Sequence, residues 1–189
     1  MICVKEFPKA AELNSALYDR VCANLTMQRV GKSEVGREGG LLKRGGWATE
    51  FDFHLQNFKE VDELTSWIKS ILPDVTKHFG GERGIPPKKD EDNEDTYGYS
   101  IQSFNIIECW GAHYNSEESV IEHNHFPFTL SFVYYVRTPE GNSPIIIEDE
   151  PHNIKEGQCI FFLSSQYHSV GQNGCDGRCS IVGNILYKL

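Results

Sequence analysis

The chain has 189 residues and a formal net charge of −9, with 39% hydrophobic and 24% charged residues, values that fit one soluble globular domain with room for a sizeable core. The acidic balance counts against a large nucleic-acid footprint, which needs a basic face to neutralise phosphates. No apolar run approaches the roughly 20 residues of a membrane span, and the first residues lack the basic start and long apolar core of a secretory signal, so a cytoplasmic location is expected. The six cysteines show no CxxC spacing, so neither a disulfide framework nor a zinc ribbon is indicated. Cys175 and Cys179 do lie near His168 in sequence, which leaves a Cys/Cys/His zinc site as a lesser alternative.

From the N-terminus, Leu13, Leu17, Val21 and Leu25 recur at four-residue steps and predict a helix over 9–27. Gly31 to Gly46 is glycine-rich and reads as a loop. Its Gly31-Lys32-Ser33 is no phosphate-binding loop, because Thr26 stands where the first glycine of that motif belongs. Trp47 to Leu55 alternates bulky and polar residues and predicts a strand with His54 on its polar, solvent side. Asn57-Phe58-Lys59-Glu60 resembles a capping box opening a second helix, with Phe58, Val61, Leu64, Ile68, Ile71 and Val75 as its buried face. Pro73 is expected to kink or end that helix.

Gly80 to Gly98 combines Gly-Gly, Pro-Pro and a run of acidic residues, too little to bury for order to be favourable. It reads as a solvated loop, or else as a lid. From Tyr99 onward the texture changes to short apolar or alternating runs: Ile101 to Trp110, Ser119 to Glu122, Thr129 to Arg137, Ser143 to Asp149, Gln158 to Ser164, Ser169 to Gly171 and Arg178 to Leu189. Such spacing implies a β-sandwich or barrel, with a jelly roll as the best fit. The expectation is thus a single domain that is mainly β with N-terminal helices: residues 1–98 supply two supporting helices, one strand and loops, and residues 99–189 supply the jelly-roll core.

The chemistry concentrates in that second part. His123 and His125 are one residue apart, and on extended backbone such a pair points the same way. Imidazole is a common ligand for iron, zinc and copper, so the pair needs only a third arm, for which His168 is the candidate. Arg178 and Ser180 follow on the last strand, where an arginine beside a hydroxyl can hold a carboxylate with two charge-assisted hydrogen bonds. Tyr114, Tyr134 and Tyr135 are candidate donors to a bound co-substrate, against a plain role in the core. His113 and His152 read as surface residues, and Trp110 as packing or as a wall of the substrate cleft.

The order His-x-His, a long gap, His, then Arg-x-Ser about ten residues on resembles the double-stranded β-helix dioxygenases that use iron(II) and 2-oxoglutarate. A closer resemblance is to a bacterial and phage branch related to the prolyl 4-hydroxylases. It rests on Trp110, His123-Asn-His125-Phe-Pro127, Ser131-Phe-Val-Tyr134-Tyr135, Gly141, Asp149-Glu-Pro151, Glu156-Gly157, Phe162-Leu-Ser164, His168, Arg178-Cys-Ser180 and Asn184. The resemblance implies iron(II) on His123, His125 and His168, with 2-oxoglutarate held by Arg178 and Ser180, assisted by Tyr114 and Tyr135. It further implies O₂ as oxidant, ascorbate in support, and hydroxylation of a C–H bond of a protein side chain, prolyl among them, or of a small metabolite. In the wider superfamily the second ligand is a carboxylate, and here His125 replaces it. A three-histidine, cupin-type dioxygenase that needs no 2-oxoglutarate, and a non-catalytic jelly-roll binding module, are the alternatives.

Overall fold

The computed structural model describes residues 1–30, 44–80, 88–89, 97–98 and 103–188. Strand β1 (Ile2–Glu6) leads into helix α1 (Ala10–Ala23), strands β2 (Met27–Val30) and β3 (Arg44–Ala48), a single 3₁₀ turn (Phe53–Leu55) and helix α2 (Lys59–His78). Then follow β4 (Lys88–Lys89), β5 (Tyr97–Gly98), β6 (Phe104–Tyr114), β7 (Val120–His123), β8 (Leu130–Arg137), β9 (Ile145–Ile147), β10 (Glu150–His152), β11 (Gln158–Leu163), β12 (His168–Val170) and β13 (Arg178–Tyr187). The strands build a seven-stranded sheet in the order β1-β11-β8-β13-β6-β3-β2 and a four-stranded sheet in the order β10-β9-β12-β7, with β4 and β5 paired separately. This is the mainly β jelly roll with two supporting helices that the sequence predicts.

Alternation along the two central strands gives the large sheet two different faces. Phe132, Tyr134 and Val136 of β8 and Cys179, Ile181 and Ile185 of β13 point to the helices. Val133 and Tyr135, with Val182, point to the small sheet. On the helix side, Leu17 and Val21 of α1 and Val61, Leu64, Ile68, Leu72 and Val75 of α2 are fully buried. Burial of each such side chain contributes on the order of 1.5–3 kcal/mol. Helix α1 can seat this closely because Gly111 of β6 has no side chain: a Cβ there would stand 2.6 Å from Val21 Cγ2. The helices therefore stiffen the back of the sheet, and its other face is left to line a cavity between the two sheets.

Several local expectations change. The apolar spacing extends the first helix to residue 27, yet α1 ends at Ala23 and Met27–Val30 joins the sheet edge as β2. β1 was not foreseen; it is short and pairs along its whole length with β11. The strand expected over 47–55 is instead β3, after which the chain turns through the 3₁₀ segment. The capping box does not form, because Asn57 takes a left-handed φ of 58° and the extended Phe58 precedes the first turn without a side-chain cap. Pro73 does not end α2, which runs on to His78. Its missing N–H forfeits the bond to the carbonyl of Lys69, an exposed position that water can serve. His54 is half-buried rather than a surface residue, with Nδ1 enclosed and unbonded. His113 is half-buried as well and meets the Tyr18 hydroxyl at 3.3 Å. His152 is also half-buried, on β10.

The Gly31 to Gly46 loop falls mostly outside the described residues, its last three positions being the start of β3. The Gly80 to Gly98 loop or lid also falls mostly outside them, apart from Gly80 and the β4–β5 pair. Among the described residues no helix is long and apolar enough to cross a membrane.

Candidate metal centre

His123 ends β7 and lies directly across from His168 on β12, which brings their ring centroids to 4.3 Å. His125 stands just past the end of β7, where its backbone N–H donates to the Ser164 carbonyl at 2.7 Å and its carbonyl accepts from Phe128. That loop geometry, rather than continued strand, carries the second histidine to the first. One ring nitrogen from each of the three lies within 4.8 Å of the others, and the Nε2 atoms of His123 and His125 are 3.1 Å apart. An ion bound at about 2.1 Å to two nitrogens at right angles holds them about 3 Å apart, so the pair has the spacing of a chelate.

Each imidazole is fixed from behind through Nδ1. His123 Nδ1 is 2.7 Å from the Ile121 carbonyl, His168 Nδ1 is 3.3 Å from the Gln166 carbonyl, and His125 Nδ1 is 2.6 Å from Asn184 Oδ1. Carbonyl oxygens only accept, so every Nδ1 carries the hydrogen and every Nε2 presents a lone pair to the common centre. Burial, with its neighbours His123 and His125, pushes His168 down to about 3. Burial and the adjacent His123 push His125 down to about 4. His123 is lowered too, by burial first and then by the charge of Arg29. All three are neutral near pH 7, the protonation state that binds a metal.

Asn184 belongs to a longer chain of hydrogen bonds. Its Nδ2 donates to Glu108 Oε2 at 2.8 Å, and its Oδ1 also accepts from Ser131 Oγ at 2.9 Å, which in turn lies 2.8 Å from Ser164 Oγ. Glu108 reaches this side of the sheet because the β6–β13 register slips between Asn184 and Ile185, which adds one residue, Ile107, to β6. The slip restarts the alternation, so Glu108 and Trp110 face the histidines while Cys109 faces the helices. Trp110 stacks on His125 with an interplanar angle of 7°.

A cavity of about 370 Å³ opens from the three histidines, and its lining includes Tyr114, Tyr135, Arg178 and Ser180. Every site residue expected from the sequence except Tyr134 is therefore on one cavity. Tyr134 faces the helix side and donates its hydroxyl to Asn14 at 2.5 Å. Arg178 is 2% exposed, and its guanidinium sits between Tyr114 and Tyr135, 5.4 and 5.5 Å from the ring centroids. Its Nη2 reaches the Tyr135 hydroxyl at 3.5 Å, whereas Nε and Nη1 are enclosed with no protein partner. A buried guanidinium with two idle donors costs stability, and an anionic oxygen ligand relieves it, a carboxylate meeting the guanidinium through Nη2 together with either Nη1 or Nε. Burial raises both tyrosines despite the opposing pull of Arg178, so their hydroxyls remain donors. Three converging neutral imidazoles and a buried cationic anchor in one cavity fit a transition metal with a carboxylate co-ligand.

The lesser zinc alternative fails on orientation: Cys179 points into the helix-side core, and the one metal-competent cluster among the described residues is His123, His125 and His168. Sequence reasoning gave no role to Glu108, Ser131, Ser164, Asn184 or Arg29. Asn184 was within reach, because 178, 180, 182 and 184 share one face of an unbroken strand. Glu108 depends on a strand slip that no local pattern announces.

The jelly-roll fold is shared with solved structures of 2-oxoglutarate- and iron(II)-dependent oxygenases. No protein-family model matches the sequence, and no curated protein matches it either. Among solved structures, the chain is similar to the viral collagen prolyl hydroxylase vCPH of Paramecium bursaria Chlorella virus-1, at 12% identity and a TM-score of 0.64, over 97% of this chain and 94% of that one. It is similar to a Pseudomonas putida prolyl-4-hydroxylase at 18% identity and a TM-score of 0.61, over 99% and 92% of the two chains. It is also similar to the non-heme α-ketoglutarate-dependent epimerase SnoN of nogalamycin biosynthesis, at 10% identity and a TM-score of 0.65, over 100% and 79%.

Proposed function

We propose that the chain is an iron(II)- and 2-oxoglutarate-dependent oxygenase that hydroxylates an unactivated C–H bond of a protein side chain, prolyl among the candidates, or of a small metabolite. In this reading His123, His125 and His168 hold iron through Nε2, and Arg178, with Ser180 and the hydroxyls of Tyr114 and Tyr135, holds the distal carboxylate of 2-oxoglutarate. The observation that carries it is the Arg178 guanidinium, buried in the same cavity as the histidines with Nε and Nη1 unpartnered. Neither a three-histidine dioxygenase that binds substrate directly nor a non-catalytic module needs a carboxylate anchor at that place. The likeness of fold to two prolyl hydroxylases and to an epimerase supports the chemistry class and leaves both substrate classes in the proposal.

Iron, when bound, supplies the activation of O₂. The protein's own part is to orient and enclose. Arg178 and the tyrosine hydroxyls fix one end of the co-substrate, so its 2-oxo acid end is delivered to the open side of the histidines. Asn184 and the two carbonyls keep the imidazoles in the tautomer that faces the metal. Val133, Ile145, Val170 and Val182 make the remaining wall apolar and limit water in the cavity. The overall balance is one C–H bond, one O₂ and one 2-oxoglutarate converted to one C–OH, succinate and CO₂. No side chain of the site needs to act as a base.

The test is succinate formation from 2-oxoglutarate with added iron(II) and ascorbate under air, in wild type, Arg178→Ala and His168→Ala. The reading expects turnover in the wild type and its loss in both variants. Oxygen uptake that proceeds without 2-oxoglutarate would instead favour the cupin-type alternative.

A further inference from the structure

Among the described residues that line the cavity, Arg29 is the one cation that the proposed reaction leaves without a task. It comes from β2, at the outer edge of the large sheet, and lines the same cavity as the histidines. Its guanidinium carbon lies 5.3 Å from the Phe51 ring centroid and 5.8 Å from that of Trp110. A cation–π contact of this kind uses no N–H group of the guanidinium, so these can donate to a ligand. No ion pair engages Arg29 among the described residues.

The surroundings sharpen the point. The chain carries a net charge of −9, yet among the described residues the lining of this cavity contains no aspartate or glutamate, only Arg29, Arg178 and the three histidines as titratable groups besides Tyr114 and Tyr135. A cationic cleft in an acidic protein attracts anions selectively. Arg178 is buried and flanked by the tyrosines, whereas Arg29 is half-buried, lies over the Trp110 ring and shares the cavity lining with apolar Ile121, Val120 and Ala48. The two cations therefore address two different ligands.

We propose that Arg29 is a substrate-binding residue, and that the substrate is an anion: its carboxylate or phosphate pairs with Arg29, and an apolar or aromatic body lies along Trp110 and Ile121 toward the histidines. This rests on the 2-oxoglutarate oxygenase reading of the same cavity and names the substrate class for it. Carboxylate and phosphate share the planar, bidentate recognition that a guanidinium offers.

The experiment uses iron(II)-loaded protein without oxygen, saturated with 2-oxoglutarate, titrated by calorimetry with 3-phenylpropionate, phenyl phosphate and the neutral 3-phenylpropionamide. In wild type at least one anion is expected to bind about tenfold or more tightly than the amide, the scale of one charge-assisted hydrogen-bonded pair. Whichever anion wins identifies carboxylate or phosphate as the natural group. The preference should vanish in Arg29→Gln and persist in part in Arg29→Lys, with 2-oxoglutarate affinity unchanged in both. No anion preference in wild type, no binding of any probe, or a preference that survives Arg29→Gln overturns the proposal. Failure of 2-oxoglutarate itself to bind the wild type overturns the underlying reading instead, and is read in the preceding titration.

Discussion

Asn184 holds His125 from behind, with its Oδ1 2.6 Å from the imidazole Nδ1 and its own amide nitrogen fixed on Glu108 at 2.8 Å. The carboxylate sets which way the amide points, and the amide sets which nitrogen of His125 bears the hydrogen. This chain of contacts replaces by position what a carboxylate ligand would supply by charge. Asn184→Ala should therefore weaken metal binding by about 10–100-fold, the usual penalty for removing such a support. Titration with manganese(II) or zinc(II) of variant and wild type, both checked for native circular dichroism, measures it. Equal affinities would mean that His125 needs no orienting partner.

The histidines also set a pH response in the metal-free protein. An imidazole titrates near 6.5 when unfolded, whereas in the fold His125 is pushed down to about 4 and His168 to about 3. Between those limits the unfolded chain binds more protons, so their contribution is constant above about 6.5 and stability falls as pH drops below it. Replacing His168 by asparagine should remove part of this slope, worth about 2 kcal/mol at pH 5 relative to pH 7.5. Urea unfolding of wild type and variant at the two pH values gives the comparison, and parallel pH dependence in both would contradict it.

Arg178 is expected to trade stability for binding. Its buried donors lack protein partners in the ligand-free fold, so Arg178→Met removes an uncompensated charge at similar volume. We expect the metal- and ligand-free variant to unfold about 2–4 °C higher than wild type, the shift that ~1 kcal/mol produces in a chain of this length. The same variant should lose 2-oxoglutarate binding altogether. A lower melting temperature would indicate that Arg178 is a structural residue first.

Gly46 links the sheet edge to the cavity wall. A Cβ at this position would collide with the Tyr114 ring and stand 2.5 Å from the His113 carbonyl oxygen. Gly46→Ala should cost about 1–3 kcal/mol by overpacking and displace Tyr114 from its place beside Arg178. The expected readout is weaker 2-oxoglutarate binding with unchanged affinity for the metal. A variant with both affinities intact would show that β3 yields instead of the tyrosine.

Much of this architecture is legible in the residues themselves. The strands from Phe104 onward announce themselves by apolar runs between turns, and the His-x-His, His and Arg-x-Ser elements sit on them at spacings that a jelly roll brings together. What was not legible depends on long-range pairing. β1 and β2 are short edge strands stabilised by their neighbours, and Arg29 stands on one of them, in the few residues between the helix expected over 9–27 and the loop expected from Gly31. Glu108 owes its orientation to the register slip at Ile107, and Asn57 and Pro73 show local rules for helix starts and stops giving way to tertiary packing. Position within a sheet, not residue type, decides these cases.

The central claim is that the histidine cluster and Arg178 act on one ligand together. Anaerobic titration of 2-oxoglutarate into the iron(II)-loaded protein, the metal-free protein and iron(II)-loaded Arg178→Ala tests this directly. The account predicts one molecule bound per chain in the first case and at least tenfold weaker binding, about 1.4 kcal/mol, in the other two. Binding that is absent from the iron-loaded wild type, or that is indifferent to the metal or to Arg178, would contradict it.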